Sequence, residues 1–268
     1  MTRLDRAIAN RERGRGPLLG VATYFYDPIF LEMAGKLGFD VAWIEMEHAF
    51  ITFAEAADLC RIASGAGMLT MIRVPDTRRD SVLKAAECGP DIIDLPMAED
   101  PSTLHELVSA ARYQPEGKRG TFSVSRALAY GLSGDLDTAQ RAINNELCLM
   151  AQIETREAVD RADELCAVPG VDIFIGPGDL AVSLGVPGRT DHPTVKAHAA
   201  RAVEAAKKYG KRVATASGPA DFPFWVEQGV DLLFCTNDIV CLRSGVVQAM
   251  EQAKAAIDST AQPSPADQ

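Results

Sequence analysis

The chain has 268 residues, 47% hydrophobic and 24% charged, with a formal net charge of −10 and only four histidines. Such acidity disfavours nucleic acid and anionic membranes, which reward Lys- and Arg-rich faces, but leaves room for a small anionic ligand met by local positive charge or a metal ion. No signal-peptide h-region follows Met1 and no apolar stretch reaches spanning length, so the sequence predicts a cytoplasmic protein without a membrane partner. The six cysteines, Cys60, Cys88, Cys148, Cys166, Cys235 and Cys241, form no C-x-x-C pair and read for the most part as buried apolar thiols.

In chain order, short apolar or β-branched runs alternate with longer stretches of helical periodicity. The runs are Leu18–Thr23, Val41–Glu45, Leu69–Ile72, Ile92–Leu95, Leu147–Ile153, Ile173–Ile175, Arg212–Thr215 and Leu232–Cys235. Each is nearly continuous in hydrophobicity, as parallel strands covered on both faces must be. Phe53–Ala63 shows the intervening helical pattern, with Ala54, Ala57, Leu59, Cys60 and Ile62 on one side and Glu55, Asp58 and Arg61 on the other.

A helix, Gly, Asp, strand grammar recurs at Gly38 and Asp40, Gly89 and Asp91, Gly170 and Asp172, and Gly229 and Asp231. Each Gly fits the left-handed position that ends a helix, and each Asp introduces the next strand. Serial βα units predict an α/β protein, a single-domain (β/α)8 TIM barrel over residues 1–257, with 258–268 as a disordered tail containing Pro263 and Pro265. The segment Tyr113–Asp137, rich in Gly, Ser and Arg, is too long for an ordinary connection and reads as a functional loop.

In a barrel, reactive residues belong at the C-terminal ends of the strands. There the second run ends in Glu45, Glu47 and His48, the third meets Arg73, the fifth meets Gln152 and Glu154, and the sixth runs into Gly176, Pro177, Gly178 and Asp179. Glu154 and Asp179 follow adjacent strands and offer hard oxygen ligands suited to Mg2+, Mn2+ or a similar ion; alternatively they are a first-turn acid and a helix N-cap. His48 lies in a carboxylate-rich turn where Glu45 or Glu47 could orient its ring as a general base, against a plain capping role. Arg73 would project into the mouth, costly unless it meets Glu45 or a bound anion. Gly176 to Gly178 opens a helix whose free amides can hold a carboxylate, or is simply a turn. No lysine closes a strand as a Schiff-base aldolase needs, Lys211 lying at the opposite face, and no G-x-S-x-G, Walker or dinucleotide motif occurs.

The strings Trp43-Ile44-Glu45-Met46-Glu47-His48-Ala49, Arg73-Val74-Pro75, Arg119-Gly120, Gln152-Ile153-Glu154-Thr155 and Ile175-Gly176-Pro177-Gly178-Asp179-Leu180 resemble, in order, the HpcH/HpaI aldolases, class II pyruvate-type enzymes. The resemblance runs from about Gly20 to about Val247. It implies a (β/α)8 barrel that pairs by swapping its last helix, near Val240–Ala256, into a homo-hexamer of three dimers. It further implies a divalent metal, Mg2+, Mn2+ or Co2+, on Glu154 and Asp179, chelated by the keto oxygen and carboxylate of a 2-oxo acid. Arg73 would stabilise the enolate, Gln152 would position the pyruvyl unit, and the Gly178 and Asp179 amides would bind its carboxylate. His48 matches the base; its usual partner, an aspartate three residues earlier, is Glu45 here. Arg126 lies in the loop that faces the aldehyde.

The implied reaction is reversible cleavage of a 4-hydroxy-2-oxo acid to an aldehyde and pyruvate or hydroxypyruvate through a metal-stabilised enolate. Rival readings are a decarboxylase or condensing enzyme on an oxaloacetate-like acid, a CoA-ester lyase of the citrate and malyl-CoA branch, and a non-catalytic 2-oxo acid binding protein. A base beside a metal pair argues against the last, since a binder needs no base.

Overall fold

The computed structural model describes residues 2–12 and 16–261. Its strands are β1 (Leu18–Thr23), β2 (Val41–Glu45), β3 (Leu69–Arg73), β4 (Ile92–Leu95), β5 (Cys148–Ile153), β6 (Asp172–Ile175), β7 (Val213–Ala216) and β8 (Leu232–Asn237). They pair in parallel, in chain order, and close into a barrel, with a helix or helices after each strand. All eight expected runs are strands, with ends shifted by a residue or two: β3 takes in Arg73 and β8 continues to Asn237. Polar side chains at strand ends mislead a reading based on hydrophobicity, because at the mouth of a barrel the ladder continues after the apolar pattern stops.

The Gly-x-Asp grammar has a direct structural cause. Asp40 accepts a hydrogen bond from the Leu19 backbone N–H at 2.8 Å, Asp91 from Thr70 at 2.8 Å, Asp172 from Arg212 at 3.0 Å and Asp231 from Val213 at 2.7 Å. Each aspartate therefore ties the start of its own strand to that of a neighbour, satisfying amides at the rim where the ladder begins. The preceding glycines, Gly38 at φ +91° and Gly229 at φ +66° among them, end their helices in the left-handed region.

Alternation along the strands sorts the core into two shells. Ala42, Ile44, Ile72, Ile93, Leu149 and Ile173 face the helices, whereas Ala22, Val41, Trp43, Met71, Met150, Phe174 and Phe234 fill the barrel. Trp43 packs edge-on against Phe174 and Phe234 with centroids 5.3 and 5.2 Å away. The N-terminal helix, Arg3–Glu12, which the strand alternation did not anticipate, sends Leu4 into this interior cluster. Arg3 to Asp91 at 2.7 Å and Asp5 to Arg212 at 2.9 Å hold it across the N-terminal face. A stoppered lower end leaves the opposite mouth as the place for chemistry.

Two other expectations need correction. The segment Tyr113–Asp137 connects the end of the helix Pro101–Ala111 to the helix Leu136–Glu146 and thence to β5, so it lies on the N-terminal side of the barrel. Tyr113 and Leu128 are buried in a small cluster of their own with Ala139, and the length of the segment serves that cluster rather than the mouth of the same chain. The C-terminal helix, Asp238–Ala261, continues past Ile257, so residues 258–261 are helical instead of a tail; 262–268 lie outside the described residues. From Ile239 to Asp258 this helix is exposed, including Leu242, Val246 and Met250. No helix among the described residues is long and apolar enough to cross a membrane.

Gly20 sits where the Phe234 ring crosses β1, and a Cβ there would overlap the ring. Gly20→Ala is expected to destabilise the barrel by about 1–3 kcal/mol, the usual cost of overpacking. Chemical denaturation of the two proteins checks this, and an unchanged midpoint would refute the packing argument.

Candidate active site

The strand register brings the chemistry together. Glu45 pairs with Arg73 and Arg73 with Asp94, so the inward positions closing β2, β3 and β4 form one polar layer above Trp43. Inward residues of β5 continue the layer as Gln152 and, just past the strand, Glu154. Glu45, Arg73, Asp94, Gln152 and Glu154 are all buried, at 5% exposure or less. A layer so charged at the rim of an apolar interior has no packing rationale, since buried ions cost stability unless they are paired or serve a ligand.

Arg73 is its centre. Its Nε donates to Glu45 Oε2 at 2.5 Å, its Nη1 reaches Gln152 Oε1 at 3.4 Å and Glu47 Oε2 at 3.0 Å, and its guanidinium lies 5.0 Å from the centroid of the Trp43 ring. Nη2 has no hydrogen-bond partner among the described residues, which leaves one edge of the fork for an anionic oxygen. Gln152 is itself oriented: its Nε2 donates to Asp94 Oδ2, turning the amide oxygen toward Arg73.

Glu45 does not pair with the ring of His48. Its Oε1 accepts from the backbone N–H groups of Glu47 at 2.6 Å and His48 at 2.9 Å, and its other oxygen is taken by Arg73. The histidine ring instead has Nε2 3.6 Å from Glu47 Oε2, and its side chain is 62% exposed. The extra methylene of a glutamate lets one carboxylate span the guanidinium and the turn; the expected dyad thus passes to Glu47, the other partner the sequence offered.

Across the barrel stand Glu154 and Asp179. One Glu154 oxygen accepts from the Met97 backbone N–H at 2.6 Å, and Met97 holds a left-handed φ of +52° to deliver it. Gly176 allows β6 to pass close by, because a Cβ there would overlap the Glu154 side chain. Asp179 lies in the first turn of the short helix Pro177–Ser183, where it and Gly178 are exposed to the mouth. Burial pushes the Glu154 carboxyl up to about 8, against the pull of the Met97 amide, and the charges of Asp179 and Asp94 add to the rise. Burial likewise raises Asp94 to about 7, opposed by Gln152 and Arg73. No group of three or more His, Cys, Asp or Glu side chains converges on one point among the described residues. Glu154 and Asp179 nonetheless offer two carboxylates in an acid-rich mouth, oxygen donors of the kind a hard divalent ion takes when water and ligand fill its other positions.

The remaining site candidate, Arg126, is not brought to this mouth. Its Nη1 donates to the carbonyls of Cys88 at 2.6 Å and Gly89 at 2.8 Å, before β4 and thus at the opposite face. Asp94 and Met97 escaped the sequence reading. A lone charge inside the apolar run Ile92-Ile93-Asp94-Leu95 was a usable signal for the first; nothing local marks the second.

Residues 25–232 match the model of the HpcH/HpaI aldolase/citrate lyase family. The chain belongs to that family. Among its relatives is a hydroxypyruvate/pyruvate aldolase of Sagittula stellata, 35% identical over 167 residues, which are 62% of this chain and 65% of that protein, a little under two thirds of its length. A hydroxypyruvate/pyruvate aldolase of Roseobacter denitrificans is 33% identical over 67% of this chain and 70% of its own. The crystal structure of an HpcH/HpaI aldolase from Desulfitobacterium hafniense superposes with a TM-score of 0.86 at 26% identity, covering 98% of both chains.

In this HpcH/HpaI barrel, Asp94 and Glu154 bind protons more readily when folded than unfolded, so between about pH 4 and pH 8 the folded state holds extra protons and its stability falls as pH rises. In chelator, the unfolding midpoint is expected to decline across that window. Asp94→Asn should flatten the portion below about pH 7. Parallel pH series of thermal melts test this, and identical slopes for the two proteins would contradict it.

Proposed function

We propose that the chain is a metal-dependent, class II aldolase that reversibly cleaves a 4-hydroxy-2-oxo acid to an aldehyde and pyruvate or hydroxypyruvate. The observation that carries this reading is the convergence of Arg73, Gln152, Glu154 and Asp179 on one mouth, in a chain of this family. Glu154 and Asp179 would hold Mg2+, Mn2+ or Co2+. The ion, when bound, supplies Lewis-acid polarisation of the 2-oxo group and offsets the negative charge of the carboxylates.

The chain's own residues account for the rest. Gln152, locked by Asp94, orients the pyruvyl unit, and the Gly178 and Asp179 amides cradle its carboxylate. His48, close to Glu47, takes the C4 hydroxyl proton; the C3–C4 bond breaks, its electron pair passes into the C2–C3 bond, and the free edge of Arg73 meets charge developing on the C2 oxygen. Return of that proton from His48 to C3 completes pyruvate and restores the base. The acceptor end is not assigned to Arg126 of the same chain, which faces the other way.

The exposed apolar side chains of the C-terminal helix, together with Phe25, Ile29 and Met33 across a groove of about 460 Å3, support assembly through that helix into dimers and a homo-hexamer. Leu242→Glu with Val246→Glu should reduce the mass seen by sedimentation, and an unaltered mass would remove this support.

Glu154→Gln is expected to abolish the rise in unfolding temperature that Mn2+ gives the wild type and to lower cleavage by at least about 10²-fold. Arg73→Lys should lower kcat by about 10²–10³-fold, because an ammonium cannot keep the forked contacts with Glu45 and a developing oxyanion together. Full activity of Glu154→Gln in excess chelator would sink the metal-dependent reading.

A further inference from the structure

The polar layer has one member that neither the family resemblance nor the mechanism uses. β1 pairs with β2 so that Thr23 faces Ile44, and the next step along both strands sets Tyr24 beside Glu45. Leu18 and Ala22 of β1 point into the barrel, and the same alternation turns Tyr24 inward, where its ring packs on the interior cluster of Trp43, Phe174 and Phe234. Three hydrogen bonds hold this position: Asp238 Oδ2 accepts from Thr23 Oγ1 at 2.9 Å, from the Tyr24 N–H at 2.8 Å and from the Phe25 N–H at 2.9 Å. Asp238 is buried at 5% exposure, so these hydrogen bonds are shielded from water. The phenol hydroxyl, by contrast, has no hydrogen-bond partner among the described residues, on a side chain that is half-buried.

The closed strand order places β1 across the barrel from β5 and β6, which carry Glu154 and Asp179. A 2-oxo acid anchored there would direct its far end, the part derived from the aldehyde, toward the β1 side. We propose that Tyr24 is a specificity-determining residue whose hydroxyl donates a hydrogen bond to a hydroxyl group on that far end, favouring hydroxylated, uncharged aldehydes. The inference rests on the aldolase reading and deepens it. Glu45 and Glu47 flank the position, and the one nearby guanidinium is already engaged with both, so an anionic acceptor would meet net repulsion. Burial, with Glu45 adding, raises the Tyr24 hydroxyl above the ordinary phenol range, which keeps it a donor at any physiological pH.

The test compares glycolaldehyde with propanal, two aldehydes of similar size that differ in a hydroxyl, as acceptors for pyruvate with Mn2+ present. Wild type should prefer glycolaldehyde in kcat/KM, and Tyr24→Phe, which keeps the ring and its packing, should shrink the ratio of the two about three- to ten-fold, the range for one neutral hydrogen bond. Tyr24→Leu, retaining apolar bulk alone, should show the same ratio as Tyr24→Phe. An unchanged ratio in Tyr24→Phe overturns the proposal while leaving the aldolase reading intact. Failure of wild type to exchange deuterium into the pyruvate methyl group overturns that reading, and this one with it.

Discussion

A buried guanidinium at the rim of the barrel sets the arrangement of this mouth. Arg73 is inserted between Glu45 and Gln152 and rests on Trp43, with almost no access to water. Taking such a group from water is costly, and the cost is offset only when its donors are matched by fixed acceptors. Glu45 supplies the chief one because the β2–β3 register places the two residues side by side. The same carboxylate then holds the amides of Glu47 and His48, so the turn carrying the histidine is positioned through the ion pair. Fold, charge and candidate base are thus joined through two side chains.

Charge balance explains the rest of the layer. Glu45, Glu47, Asp94, Glu154 and Asp179 lie around Arg73, and three of them, Glu47, Asp94 and Glu154, are driven toward the neutral acid by burial. A site built only for an anion would not gather so many carboxylates, since each weakens the attraction Arg73 can exert. A surplus of oxygen donors is instead what a divalent cation requires. This surplus of carboxylates is what favours the proposed cation, since an anion entering the mouth without one would meet net repulsion.

Much of this was legible in the sequence, for identifiable reasons. Strand positions were fixed by runs buried on both faces, and the barrel by the repeated Gly and Asp that prove to staple neighbouring strands. Arg73, Gln152, Glu154 and Asp179 could be placed at the mouth because they close or follow strands, and a barrel opens at the C-terminal ends of its strands. The misplacement of Arg126 has the same origin: loop length drew attention to its segment, whereas only counting whether a connection runs from strand to helix or helix to strand tells which face it serves. Asp94 was missed because hydrophobic averaging over Ile92–Leu95 conceals one charge. Partners across the barrel, such as Met97 for Glu154, are set by register and are not written in local sequence at all.

The glutamate at position 45 shows how one methylene redistributes a site. An aspartate there would be shorter by about one carbon–carbon bond, whereas Glu45 both accepts from Arg73 Nε and reaches the amides at the turn from one strand position. With Glu45 satisfied on both oxygens, the His48 ring is left to Glu47, a carboxylate that burial raises and that already touches Arg73 Nη1. In this chain, then, Arg73 and the His48 ring share one carboxylate, Glu47, rather than standing apart as a guanidinium and an independent dyad.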